Sequence, residues 1–309
     1  MTERISTREA TAALERSGYL LESRLGSVVQ KAGYYTEANC AYRDRETGKL
    51  RELDLFALSA TKAGSGEHDY IFPVLFFECV NNPQPIALFT KTPQTPFLHH
   101  ERVRCSGLPV SIYTTKPPRR WETLPWYLGM DKFHHYCRGR IASQFCSFRK
   151  KKEKNLDEWM AFHEESHMGA FKALCLALEH FVEEHYRSWH LAREEPINVQ
   201  IYYPVLVVQG DLFEARVGLR SFSVRKADHL QFMHSSLVSQ KAVQYQIDVV
   251  TERSVPKLLK LVDQEIAKTA RLLRRRHREV RASVNRIVRS AGRARSLEKI
   301  RRAFEVASA

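Results

Sequence analysis

The spacing of apolar residues predicts a helix over residues 7–32, followed by short strands. Gly18 is expected to interrupt the helix and Gly33 to end it. The apolar stripe of this helix consists of Leu21, Leu25, Val28 and Ala32. Apolar and polar residues then alternate, as is typical of strands, at about 36–42, 50–58, 71–80, 85–90 and 109–114. This order predicts a mixed α/β sheet flanked by helices.

The second half of the chain continues with long apolar patterns. A stripe at helical spacing predicts one helix over 155–190. Two strands, NVQIYYPVLVVQG and DLFEARVGL, meet at Gly210-Asp211, which predicts a hairpin. A further strand is expected at 245–250, and helices are predicted from about 255 almost to the end, with an interruption near Gly292.

Positive charge is concentrated near the end of the chain. The formal net charge is +14, and the segment from Lys268 to Arg302 holds 14 Lys and Arg against two acids. Such a segment attracts polyanions, and nucleic acid is favoured over a solvated helix or a membrane surface. Contacts between Arg and phosphate carry no base specificity. The expected nucleic-acid-binding residues are Arg271, Arg274, Arg275, Arg276, Arg278 and Arg281.

Composition restricts the class of protein further. No run approaches the roughly 20 apolar residues of a membrane helix, and the charged N-terminus is unlike a secretory signal. A cytoplasmic protein without membrane contact is therefore expected. The six cysteines form no C-x-x-C pair, so they are interpreted as reduced thiols.

Three acidic residues stand where the pattern predicts buried or packed elements. The apolar strand VLFFECVNN runs into the carboxylate of Glu78, and a buried carboxylate requires compensation by a cation, an Arg, a Lys or solvent. Asp54 lies near the end of the preceding strand, and Glu22 borders the apolar stripe of the first helix. We expect the three carboxylates to meet at one point.

In this arrangement the chain resembles the PD-(D/E)xK nuclease superfamily, which has the restriction-endonuclease-like fold. Members carry a Glu on a helix, an Asp on a strand and a Glu-x-Lys at the end of the next strand. Glu22, Asp54 and the triplet Glu78-Cys79-Val80 match in order and spacing. The resemblance covers roughly residues 17–114, and the later strands would complete the same domain. We therefore expect a nuclease-like α/β domain over 1–250, with a helical insertion around 115–195, and a basic helical segment over 251–309.

The resemblance also implies metal-dependent hydrolysis of phosphodiester bonds, with DNA favoured over RNA. Carboxylates are the ligands that Mg²⁺ prefers, and Mn²⁺ is the alternative. Asp54 and Glu78 are the implied metal ligands, the carbonyl of Cys79 is a third, and Glu22 supports the ion. A role in defence against foreign DNA would fit the superfamily.

The chain departs from the family where the motif Lys is expected, because Val80 stands there. Valine can neither stabilise developing charge nor orient a water molecule. Lys91, near the end of the next strand along the chain, is the best substitute and completes the expected catalytic set, whereas Lys62 is weaker. The alternative is an inactive nuclease-fold protein that binds nucleic acid or scaffolds a partner. A homodimer also stays open.

A separate motif, HEESH at 163–167, fits the zinc-binding pattern H-E-x-x-H. No third ligand follows at a suitable spacing, and both His163 and His167 lie on the apolar stripe. Structural histidines are therefore favoured over a zinc peptidase.

Overall fold

The fold is a large mixed sheet flanked by helices, as the sequence predicts. It is seen in a computed structural model. The residues that the structure describes are 4–15, 17–44, 47–81, 84–93, 101–115, 117, 119–153, 156–162, 165–188, 195–238 and 241–290.

Six described α-helices and fifteen described strands follow one another along the chain. The helices are α1 (Thr7–Glu15), α2 (Tyr19–Lys31), α3 (Leu124–Tyr127), α4 (Glu165–Ser188), α5 (Val255–Arg275) and α6 (His277–Ser290). The strands are β1 (Tyr35–Arg43), β2 (Leu50–Leu58), β3 (Thr61–Lys62), β4 (Tyr70–Val80), β5 (Ile86–Lys91), β6 (Cys105–Leu108), β7 (Ser111–Tyr113), β8 (Trp121–Thr123), β9 (Ile141–Glu153), β10 (Leu156–Phe162), β11 (Asn198–Val208), β12 (Leu212–Val217), β13 (Phe222–Ala227), β14 (His229–Val238) and β15 (Lys241–Thr251).

The centre of the sheet is an antiparallel meander that continues into parallel strands. Strands β1, β2 and β4 pair antiparallel, while β4, β11 and β15 run parallel to one another. Apolar residues of α2 and α5 cover one face of these strands, and those of α4 cover the other. Both faces of the central strands are therefore buried, which explains the nearly continuous apolar runs of β4 and β11.

The predicted helix over 7–32 is confirmed as α1 and α2, with the break near Gly18. Gly33 has φ +90°, a conformation that favours glycine and turns the chain from the helix into β1. The predicted strands at 36–42, 50–58, 71–80 and 85–90 correspond to β1, β2, β4 and β5.

Two predictions in the second half of the chain are wrong. Residues 156–162 form β10 rather than the start of a long helix, because they pair antiparallel with β9, and α4 begins at Glu165. The expected hairpin at Gly210-Asp211 does not form, since β11 pairs with β4 and β15, whereas β12 pairs with β5 and β13. A turn signal between two strands does not determine which partners they choose.

The range 115–195, expected to be a helical insertion, contains β8, β9 and β10 as well as α4. β9 includes the basic run FRKKKE, in which Lys151 lies opposite Glu158 of β10. Opposite charges on neighbouring strands stabilise such a pairing, so a polar segment forms a strand without an apolar core pattern. The division of the chain at residue 250 stays a prediction. No helix among the described residues is long and apolar enough to cross a membrane.

Candidate metal and nucleic-acid sites

Asp54 lies at the fork where β2 and β4 separate, that is, where their backbone pairing ends. The ladder between these strands ends at the pair Leu55 and Phe77. Beyond it the Asp54 Oδ2 atom accepts a hydrogen bond from the backbone N–H of Cys79 at 2.6 Å. The carboxylate therefore replaces a strand partner, and it is held beside the end of β4 where Glu78 also stands.

The backbone opposite Asp54 is distorted. Asn39 of β1 has φ +52°, and the ladder between β1 and β2 lacks the pair of Asn39 with Asp54. In a regular strand Leu53 and Leu55 would point to the same face of the sheet. Here Leu53 packs in the core under α4, whereas Leu55 packs in the core under α2 and α5. The predicted alternation of faces along β2 thus fails at Asp54, and this strained position coincides with a candidate functional residue.

Glu22 reaches the same region from the first turn of α2. A Cβ atom at Gly18 would lie 3.2 Å from the Glu22 Oε1 atom and 3.6 Å from Cβ of Asn81, which follows β4. The carboxylate therefore lies over Gly18, close to the end of β4. The pKa of Glu22 is raised by burial and by the charge of Asp54.

Glu78 carries the strongest electrostatic perturbation of the three acids. Its Oε1 atom is buried without a hydrogen-bond partner in the described part of the chain. The pKa of Glu78 is raised to about 9, first by burial and then by the negative charges of Asp54 and Glu22. Burial also raises the pKa of Asp54, against the opposing effect of the Cys79 N–H. None of the three acids has an ion pair among the described residues, so in the absence of a cation Glu78 keeps its proton at neutral pH.

The surroundings of Glu78 leave room for a small ligand. A depression of about 510 Å³ is lined by Glu78 to Asn81 and by small residues of α4, namely Gly169, Ala170 and Ala173. Glu78 lines this space, and a carboxylate whose Oε1 atom has no partner among the described residues suits a hard divalent cation, which binds oxygen ligands. Two groups of possible metal ligands in the described residues have ligand atoms that all lie within 4.8 Å of one another. Neither group contains Glu22, Asp54 or Glu78, so the ligand atoms of these three acids do not all lie that close together.

The raised pKa of Glu78 predicts a pH-dependent stability in buffer with EDTA. The folded protein keeps the proton up to a pKa of about 9, whereas the unfolded chain releases it near 4.5. The stabilisation is complete below pH 4.5, so the free energy of unfolding should fall as pH rises from 4.5 to 9. Urea denaturation across this range measures the slope.

Glu78→Gln should flatten that slope, and the matched variant Glu67→Gln, on an exposed loop residue, should retain it. If wild type and Glu78→Gln have the same profile, Glu78 is not the group responsible.

The structure does not bring Lys91 to the three acids. Four strands separate β5 from β4 in the sheet, which corresponds to roughly 24 Å along it. Lys91 lines a different cavity, together with Phe89 and Arg102. The expectation was wrong because it took strands consecutive along the chain for neighbours in the sheet.

Lys62 is also remote. It pairs with Tyr70 at the beginning of β4, eight residues before Glu78 and so roughly 26 Å away along the strand. Its Nζ atom donates to the carbonyl of Glu67 and lies over the ring of Tyr70.

Four of the six predicted nucleic-acid-binding arginines are exposed, namely Arg271, Arg274, Arg275 and Arg278. A cleft of about 1070 Å³ lies at the junction of α5 and α6. Its lining includes Arg120 from the segment between β7 and β8, two tyrosines and the arginines Arg274, Arg275, Arg276 and Arg278. We call this surface the arginine cleft. Arg276 is partly committed to the protein, since it donates to the carbonyl of Tyr127 and lies over its ring.

Arg281 is a structural residue rather than a phosphate ligand. Its guanidinium donates to both oxygens of Asp69 at 2.7 and 2.9 Å and to the carbonyl of Glu195. Asp69 is 1% exposed and also accepts from the backbone of Ile197 and Gly66. This expectation fails because an Arg at helical spacing with surface arginines can still face inwards to a buried acid.

Only part of the motif HEESH at 163–167 lies within the described residues. His163 and Glu164 lie outside the described residues, and His167 is buried in α4. The described chain has instead a buried network that sequence reasoning missed, in which His135, His229 and Tyr136 donate to Asp248. Its members are far apart in sequence, so no spacing pattern indicates it.

Comparison with family models, with curated proteins and with solved structures yields no match. The resemblance to the nuclease superfamily therefore stays a prediction from Glu22, Asp54 and Glu78.

Proposed function

We propose that this protein is a metal-dependent phosphodiesterase, an endonuclease-like enzyme that acts on DNA in preference to RNA. The observation that carries the proposal is the buried Oε1 atom of Glu78, which has no hydrogen-bond partner among the described residues and lies close to the acids Asp54 and Glu22. A buried carboxylate without a partner costs several kcal/mol, so a site of this kind favours a bound cation.

The order of elements supports a restriction-endonuclease-like core. Helix α2 carries Glu22, the meander β1, β2 and β4 carries Asp54 and Glu78, and α4 leads to β11, which runs parallel to β4. The N–H and C=O groups of one strand residue point to the same edge, so the carbonyl of Cys79 faces the side of Asp54.

In this proposal Asp54, Glu78 and the Cys79 carbonyl hold Mg²⁺ or Mn²⁺, and Glu22 supports the ion. When bound, such an ion neutralises charge on a phosphoryl group and provides a hydroxide nucleophile. In this proposal the protein's part is to hold the three carboxylates near the end of β4, where Glu78 lines a small space beside α4.

The direct test is incubation of the purified protein with supercoiled plasmid in Mg²⁺ or Mn²⁺. Nicking that EDTA abolishes is the expected result. A preparation that binds DNA but never nicks it would refute the enzymatic proposal.

The second candidate is an inactive nuclease-fold protein that binds nucleic acid or scaffolds a partner. Val80 in place of the motif lysine favours it, as does the remote position of Lys91. Loss of a positioned acid–base group costs about 10²–10⁴ in rate.

The arginine cleft is the proposed contact with the DNA backbone. Each phosphate that it neutralises should contribute about 0.9 to the slope of log affinity against log salt. Fluorescence anisotropy between 50 and 200 mM salt measures this slope, which Arg275→Gln and Arg278→Gln should each reduce by about 0.9. Arg289→Gln, an exposed position of α6 outside the cleft, is the control. Equal slopes in all variants would exclude the cleft.

A further inference from the structure

A second cluster of possible metal ligands lies away from the three acids. Asp248 of β15 is completely buried, and its Oδ1 atom lies 2.7 Å from Nε2 of His229 and 3.1 Å from Nε2 of His135. Asp248 pairs with Val205 of β11, which in turn pairs with Phe77 of β4, so the backbones of Asp248 and Phe77 lie roughly 10 Å apart along the sheet. The Asp248 cluster contacts α5, whereas Glu78 lines a space beside α4.

The two histidine rings are oriented by the fold. His229 begins β14, next to β15, and its ring meets that of His135 at 63° with centroids 5.8 Å apart. The Nδ1 atom of His135 lies 2.9 Å from the Glu265 carboxylate of α5, which leaves Nε2 facing Asp248. Tyr136 donates to the other oxygen of Asp248 at 2.9 Å.

We propose that His135 Nε2, His229 Nε2 and Asp248 Oδ1 bind a zinc ion. Two imidazoles and one carboxylate are a ligand set that zinc uses, with a fourth position for water. A tetrahedral site with zinc–ligand bonds of about 2.0 Å has ligand atoms about 3.3 Å apart. The distances of 2.7 and 3.1 Å therefore have to lengthen by about 0.6 and 0.2 Å, and the two Nε2 atoms lie within 4.8 Å of one another.

The neighbouring groups match what surrounds zinc ligands in proteins. A histidine ligand usually donates its other ring N–H to a carboxylate, the role that Glu265 has toward His135. The charges also balance, because a divalent cation with neutral imidazoles offsets the buried carboxylates of Asp248 and Glu265. Gln231 donates to the carbonyl of His135 at 2.7 Å and fixes the segment that carries it.

His134 is a poorer ligand than His229. Its Nδ1 atom accepts the backbone N–H of Tyr136, so its proton lies on Nε2, which faces Glu265 and Tyr203. His134, His135 and Glu265 form an alternative group of possible ligands. A metal bound there would break these contacts of His134 and would also take up the carboxylate that orients His135.

The test is the zinc content of the full chain, purified without a polyhistidine tag, reconstituted with zinc and dialysed into metal-free buffer. Mass spectrometry of the metal should find one zinc per chain in wild type and in His68→Ala, an exposed control. His229→Ala should lose it. Glu265→Gln should bind zinc more weakly by about 10–100-fold in a chelator competition.

Two results would overturn the proposal: wild type that retains no zinc after reconstitution, or His229→Ala that retains as much as wild type. If His229→Ala fails to fold, the visible spectrum of cobalt-substituted wild type decides, because a tetrahedral site gives intense bands and their absence excludes the site. Asp54→Asn should keep its zinc, so failure of the nuclease proposal leaves this one standing.

Discussion

Asp54→Asn should lower the rate of plasmid nicking by about 10²–10⁴, equivalent to several kcal/mol of lost transition-state stabilisation. Asparagine keeps an oxygen that can accept the hydrogen bond from the Cys79 N–H, so the fork between β2 and β4 should persist. What the variant removes is the negative charge that the proposed site contributes to the cation. Initial rates of nicking in Mg²⁺, with wild type and variant at equal concentration, give the ratio.

The control for this experiment is Lys91→Ala. Lys91 lies across the sheet from the acids, so its removal should leave the nicking rate nearly unchanged. A large loss with Lys91→Ala, or full activity of Asp54→Asn, would contradict the assignment of the site.

Arg281→Ala should reduce the free energy of unfolding by about 3–5 kcal/mol, because it removes the guanidinium that pairs with a buried carboxylate. Asp69 is 1% exposed and is the acceptor of four hydrogen bonds, two of them from Arg281. Chemical denaturation measures the change. Arg289→Ala, an exposed position on the same helix, should stay within about 0.5 kcal/mol of wild type. Similar values for the two variants would show that the pair with Asp69 is not stabilising.

The first third of the chain was predictable because local signals and tertiary structure agree there. The helical spacing of α2, the glycine that ends it and the strand pattern of β1, β2 and β4 each have a local physical cause. Within α2 the buried stripe is Leu21, Leu25 and Val29, whereas the predicted Val28 is half-buried and Ala32 is exposed. Glu78 could be singled out as well, since a carboxylate at the end of an apolar strand contradicts the pattern around it, while the role of the three acids as metal ligands stays a prediction. The distortion at Asn39 had no such signal.

Long-range pairing explains the failures. β5 follows β4 along the chain but pairs with β9 and β12, which places Lys91 far from Glu78. The segment 156–162 has apolar residues at spacings compatible with a helix, and only its pairing with β9 makes it a strand. The proposed zinc ligands come from three separate segments, so the cluster becomes visible only when the fold brings His135, His229 and Asp248 together.

Binding of Mg²⁺ tests the central claim most directly. Mg²⁺ requires oxygen ligands, so the histidine cluster does not compete for it. Isothermal titration calorimetry should give a one-site isotherm for wild type and for Glu67→Gln, and only the heat of dilution for Glu78→Gln. If wild type and Glu78→Gln give the same isotherm, the carboxylates of Glu22, Asp54 and Glu78 do not form a cation site.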